Sequence, residues 1–197
     1  MGIIERAKNI LLNPKEEWPV IAGEQTTVAD LYTGYAIPLA AIPVVSSIIG
    51  MSILGMTMPF GGHLGISFSY LILWGFLSYV SSLVGVYIIA LIVNALAPAF
   101  STEKNLVQAL KLAVYSSTPA WIAGVLHIVP MLGILAIIGS LYGIYLIYLG
   151  LPHLMKVPGE KAVGYMVAVV LAAIVTYVII GFIVGGLATM PMPGRMM

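Results

Sequence analysis

Cysteine is absent and charge is scarce. Only 8% of the 197 residues are Asp, Glu, Lys or Arg, against roughly 25% in an ordinary soluble domain. The first absence removes disulfides, thiolate metal sites and cysteine nucleophiles together. The second excludes a soluble enzyme, a secreted disulfide scaffold and a disordered chain. A net charge of +1 offers no basic patch, so no nucleic-acid partner is expected. The first 30 residues also lack a continuous apolar core and a small-residue cleavage site, so no signal peptide is expected.

What is present is apolar length. Hydrophobic residues make up 61% of the chain, and the mean hydropathy is +1.09. No charge interrupts residues 31–102, 112–155 or 162–194. A helix crosses a bilayer with about 20 apolar residues. The first two stretches therefore hold two spans each and the third holds one. The expected fold is an all-α, polytopic membrane helix bundle with five transmembrane helices. They fall at about 28–56, 66–96, 106–128, 131–151 and 162–188. The chain divides into a cytoplasmic N-terminal segment (1–27), the transmembrane domain (28–190) and a short external tail (191–197).

Within the first segment, Ile3, Ile4, Ala7, Ile10 and Leu11 form one helical stripe opposite Glu5, Arg6, Lys8 and Asn9. A helix this short cannot span. It is expected to lie in the headgroup layer, the alternative being that it packs on the bundle's own loops. Trp18 is expected to anchor at the interface. Thr27 and Asp30 have the spacing of a capping box opening the first span. A hairpin is expected at Pro59–His63. Arg6, Lys8, Lys15, Lys104, Lys111, Lys156 and Lys161 fall on one side of the membrane and Arg195 on the other, which puts the N-terminus in the cytoplasm and the C-terminus outside.

The spans offer little chemistry. None carries an ionisable residue at mid-bilayer, where such groups tend to be functional. Lys111 comes closest, about one turn into the third span, where it could snorkel or pair with Asp30. His63, His127 and His153 have no carboxylates beside them, so neither metal nor cofactor is expected. The span serines have no base at a recognisable spacing. Asn94 is read as an interhelical hydrogen-bond donor. Small residues four apart (Ser46/Gly50, Ser78/Ser82, Ser81/Gly85, Gly139/Gly143, Gly181/Gly185) allow close helix approach, and are read as internal contacts before a homo-oligomer seam. Tyr35 and Pro38 in span one are echoed by Tyr115 and Pro119 in span three. This hints that spans one-two and three-four are parallel copies of one hairpin.

Asp30-Leu31-Tyr32 resembles the opening of the Asp-Leu-Tyr-Gly-Pro motif of the Ypt/Rab-interacting (Yip) family, prokaryotic branch, although Thr33 and Gly34 follow and the first proline is Pro38. Ala113-Val-Tyr115-Ser-Ser-Thr-Pro119 is similar to that family's Gly-Tyr-x-x-x-Pro motif, with Val114 in place of glycine. Asn13-Pro-Lys-Glu-Glu-Trp18 looks like the prelude of prokaryotic members. The resemblance implies a five-span, non-enzymatic membrane protein. Its eukaryotic relatives are associated with Rab-type GTPases, partly through a long N-terminal region. Only residues 1–27 precede the first span here, so that partnership is not carried over.

The leading functional reading is a scaffold or adaptor for membrane organisation or trafficking, with the bilayer and cytoplasmic proteins as partners. Asp30, Leu31, Tyr32, Tyr35, Pro38, Lys111, Tyr115 and Pro119 are its candidate surface. The alternative is a small-solute or ion permease with a site between proline-broken spans one and three. A continuous polar cavity around Tyr35, Tyr115 and Ser116 would favour the permease, and a densely packed, dry interior the scaffold.

Overall fold

The computed structural model describes residues 1–53, 56–57, 63–64 and 68–189. The end of the expected first span, most of the hairpin at 59–63, and the tail 191–197 with Arg195 lie outside the described residues.

Two short helices come first, α1 (Ile3–Leu12) and α2 (Pro14–Gly23). Pro14 opens α2 because the first helical position needs no intrahelical amide donor. The long helix α3 (Val28–Ile53) follows. The capping box starts it as expected: the Thr27 amide donates to Asp30 Oδ2 (3.0 Å), and the Asp30 amide donates to Thr27 Oγ1 (3.2 Å). Five residues later the helix widens into a π turn over Tyr32–Ala36, where the Ile37 amide reaches Tyr32 O. Pro38 explains the position. A proline ring crowds the carbonyl four residues back, and a widened turn relieves that conflict without breaking the helix.

Met56–Thr57 and His63–Leu64 form a brief antiparallel pairing, β1 and β2, between α3 and α4 (Phe68–Leu96). A 3-10 turn, Ala97–Phe100, ends α4. The Asn105 side chain caps α5 (Leu106–Ala123) through the Gln108 amide, and 3-10 turns carry the chain to α6 (Ala136–Leu154) and α7 (Gly159–Thr189). Among the described residues four helical stretches are long and apolar enough to cross a membrane: Val28–Ile53, Phe68–Phe100, Met131–Leu154 and Gly159–Gly186. The protein is a polytopic helical membrane protein. The expected third span, α5, is less apolar, carrying Gln108, Lys111 and three consecutive hydroxyls at 116–118. It is the central helix, buried along most of its length. A helix surrounded by protein need not match lipid.

Within each pair α3/α4 and α5/α6 the consecutive helices run in opposite directions. A Cβ added to Gly139 would lie 2.6 Å from Pro119 O, and one on Gly143 would lie 2.7 Å from Ser116 O, so α5 and α6 run antiparallel with backbones nearly touching. Tyr32 and Tyr79 hydroxyls donate across to Leu83 O (2.8 Å) and Ile37 O (2.9 Å), which makes α3 and α4 antiparallel too. Between these hairpins, α3 and α5 are parallel neighbours: Tyr35 meets Tyr115, and Pro43 packs on Gly124. This is the arrangement the faint repeat implies. Gly50, Gly85, Gly139 and Gly143 all sit at internal contacts, whereas a methyl on Gly181 meets nothing within 4 Å.

The helical hairpin α1–α2 departs most from expectation. It is inserted along the bundle. The Tyr142 hydroxyl donates to Leu11 O (2.8 Å), Trp18 lies against Gly150, and Lys111 Nζ reaches Ile21 O (2.8 Å). Positions 142 and 150 of α6 are about 12 Å apart at 1.5 Å per residue, so the hairpin follows that helix for more than two turns. The buried face of α1 is Arg6, Ala7 and Ile10, while Ile4 and Leu12 are exposed. The amphipathic stripe is thus rotated, because Arg6 turns inward to two carboxylates. Protein contacts hold one side of α1. Trp18 is no interface anchor: it is fully buried, edge-on to Tyr115 at 6.5 Å.

Burial is concentrated at this end of the molecule. In α7 the buried residues Ala162, Tyr165 and Val169 give way to exposed Leu171, Ile174, Val178 and Phe182. Phe100 stacks on Tyr165 at 4.5 Å, and the Tyr165 hydroxyl donates to Val93 O. One end packs like a soluble protein, and the other presents apolar side chains outward.

Candidate functional site

The polar groups gather where α1, α2 and the entry of α3 meet α5. Arg6 is buried there and donates to Glu17 and to Glu24, one carboxylate on α2 and one just beyond it. Its guanidinium also lies 5.7 Å from the centre of the Tyr115 ring, within range of a cation–π contact. A buried arginine is tolerable only when its charge is matched, and two carboxylates and an aromatic face do so here. Lys111, also buried, donates to Ile21 O (2.8 Å) and Glu24 O (2.6 Å). It therefore caps the end of α2, where free carbonyls concentrate negative partial charge. It neither snorkels nor pairs with Asp30. Asp30 is committed to its capping box, where the Thr27 hydroxyl also donates to it (2.6 Å).

Above these contacts lies a polar cavity of about 410 Å³. Arg6, Glu24, Asp30, Leu31, Tyr35 and Tyr115 are among its walls. At its edge Tyr35 packs against Tyr115, with ring centres 4.8 Å apart, and the Tyr35 and Thr118 hydroxyls share a hydrogen bond of 2.9 Å. Tyr35, Tyr115, Ser116 and Thr118 are all buried, so at this depth the seam between α3 and α5 is filled.

Four of the eight candidate residues, Asp30, Leu31, Tyr35 and Tyr115, are thus brought to one cavity. The other four are not. Tyr32 turns to α4, bonding Leu83 O and lying edge-on to Tyr87 at 6.4 Å. Lys111 serves α2. Pro38 is exposed. Pro119 is buried with its carbonyl facing Gly139 of α6. The cavity therefore has walls from spans one and three, at Leu31, Tyr35 and Tyr115, but neither proline lines it. Residues three apart share a face in a regular α-helix, but Tyr32 and Tyr35 fall within the wider π turn, and there the first meets α4 and the second α5.

Asn94 is expected to donate an interhelical hydrogen bond; its acceptor atom, Oδ1, is buried with no hydrogen-bond partner among the described residues. His127 Nδ1 lies 2.8 Å from Gly124 O, a local contact. Among the described residues no group of three His, Asp or Glu is placed to hold a metal ion.

The Yip1 domain profile matches residues 8–188. The chain belongs to the Yip1 domain family. The family is one of non-catalytic membrane proteins. The chain is also similar to "Inner membrane protein YohC" of Escherichia coli strain K12, at 28% identity over 156 residues, covering 78% of this chain and 80% of that protein. The protein of the same name from Escherichia coli O6:H1 matches to the same extent. No solved structure matches.

Sequence reading missed Arg6, Glu17 and Glu24 as a unit, the first just ahead of the matched domain and the other two inside it. A signal was present: a chain with so few charges places an arginine on the first helix and two glutamates on the segment that folds back over it. No helix is expected over residues 14–23 from the sequence, and without α2 the fold-back that makes the pairing stays hidden.

Proposed function

We propose that this Yip1-domain protein is a membrane scaffold or adaptor that engages partner proteins through the end of the bundle closed by α1–α2. The observation that carries the reading is the polar cavity between Arg6, Glu24 and Asp30, sited on a rigid, densely packed end of the molecule. Helix length supports such a projecting end. Residues 68–100 measure about 50 Å at 1.5 Å per residue, and the hydrocarbon core of a bilayer is about 30 Å thick. The excess corresponds to the half in which buried side chains cluster.

In this reading the chain crosses the membrane five times, with α5 as the protein-enclosed third crossing. The N-terminus and the loops at 98–105 and 152–161 face the cytoplasm, where six of the basic residues gather besides Lys111. The similarity to an inner membrane protein supports a prokaryotic cytoplasmic membrane as its location. The permease alternative draws on the π turn and Pro38 beside the cavity. Against it stands the filled seam at Tyr35, Tyr115 and Thr118.

A photoreactive residue at Gln25, on the cavity rim, tests the reading in intact cells. Discrete protein adducts are expected, lost when Glu24 and Asp30 are changed to Gln and Asn. The same probe at Ile179, on the lipid-facing side, should give none. Adducts indifferent to the two carboxylates would count against the adaptor. Solute flux in proteoliposomes that depends on Tyr35 would establish the permease instead.

A further inference from the structure

On the opposite flank of α1 is a second groove, of about 460 Å³ and lined by apolar surface. One wall is the outer face of α1, with Ile4, Leu11 and Leu12. The other is Leu39 and Ile42 of α3 with Ile122 of α5. We propose that this groove holds an acyl chain of an anionic phospholipid, with the lipid phosphate at the Lys8 ammonium.

Depth selects the occupant. Leu39 and Ile42 lie inside a membrane-spanning stretch, and at that level the surrounding solvent is lipid tails. The volume falls within the range of small-molecule sites. Charge selects the headgroup. Lys8 is the one charged residue among those lining the groove, it is exposed, and it has no ion pair among the described residues. It also sits one turn from both Ile4 and Leu12, so all three share a helix face. Ile4 and Leu12, 82% and 66% exposed, are left without protein cover on either side of it. A free apolar face beside an unpaired ammonium fits a molecule with an apolar tail and an anionic head. Arg6 does not compete for that head, because Glu17 and Glu24 already hold it. The inference needs the bundle to be in a bilayer but not the adaptor role.

The experiment uses the full chain in phosphatidylcholine nanodiscs doped with phosphatidylglycerol bearing a diazirine in its acyl chain. Adducts are mapped by mass spectrometry. Labelling is expected on residues 4–12, 39–42 and 122, displaced by unlabelled phosphatidylglycerol and not by further phosphatidylcholine. Lys8→Glu should lower it several-fold and Lys8→Arg should preserve it. Leu39→Trp, which fills the groove and keeps the charge, should lower it as well. Labelling of Phe76 and Val175, exposed on other helices, reports ordinary bilayer contact and should not change. Equal displacement by phosphatidylcholine, or groove labelling indifferent to both Lys8→Glu and Leu39→Trp, would overturn the proposal. So would a uniform fall at the groove and at Phe76 and Val175 together.

Discussion

Arg6 is the side chain on which the inserted hairpin most depends. Removing one partner of a buried ion pair leaves the other charge unmatched, at a typical cost of about 3–5 kcal/mol. Arg6→Ala should therefore lower the thermal midpoint of the protein in micelles and speed amide exchange over residues 3–23. Replacing both partners with apolar residues, Arg6→Met with Glu17→Leu, should recover much of the loss, since no buried charge then remains on that side. If the single and double variants unfold alike, the pair does not hold the hairpin. Lys111→Met tests the second tie differently. It removes the ammonium donor from Ile21 O and Glu24 O, leaving Ile21 O the Glu24 amide alone, and should loosen the end of α2 more than α1.

At the level of elements, the glycine seam between α5 and α6 makes a sharper claim than composition could. An added methyl at Gly139 would collide with the Pro119 carbonyl, a backbone atom that cannot swing away. Gly139→Ala is expected to destabilise by about 1–3 kcal/mol through overpacking. Gly181→Ala, with open space around it, should be neutral or slightly stabilising, as alanine is the better helix former. Comparable losses at both sites, read from the same denaturation assay, would mean the seam is not close-packed. The parallel pairing of α3 with α5 is testable because the chain has no cysteine. Cysteines at Pro43 and Gly124, whose β-carbon positions meet in the fold, should form a disulfide under mild oxidation. A pair at Pro43 and Val175 should not.

For the whole molecule, the proposed crossing pattern sets which loops meet which solution. Single cysteines at Ser101 and Gly159 should react with an impermeant thiol reagent only after the membrane is opened, and cysteines at Gly62 and Thr189 should react from outside. The reverse pattern would invert the orientation. Reaction of 101 and 124 from the same side would remove α5 from the list of crossings.

Long charge-free stretches sufficed to locate the apolar helices, because the bilayer imposes one length and one polarity on anything that crosses it. Capping at Thr27 and Asp30 was legible for a similar reason, being a contact between residues three apart. The family resemblance rested on motifs whose order along the chain survives without coordinates. The hairpin α1–α2 was not legible. Its identity as a wedge depends on Arg6 meeting Glu17 and Glu24, on Trp18 finding Gly150, and on Lys111 reaching back some 90 residues to Ile21. Local periodicity assigned Arg6 to solvent, and the amphipathic ring assigned Trp18 to the interface. Only the tertiary structure decided otherwise, because burying a charge or an indole depends on which partners the fold brings to it, and those partners lie on other elements.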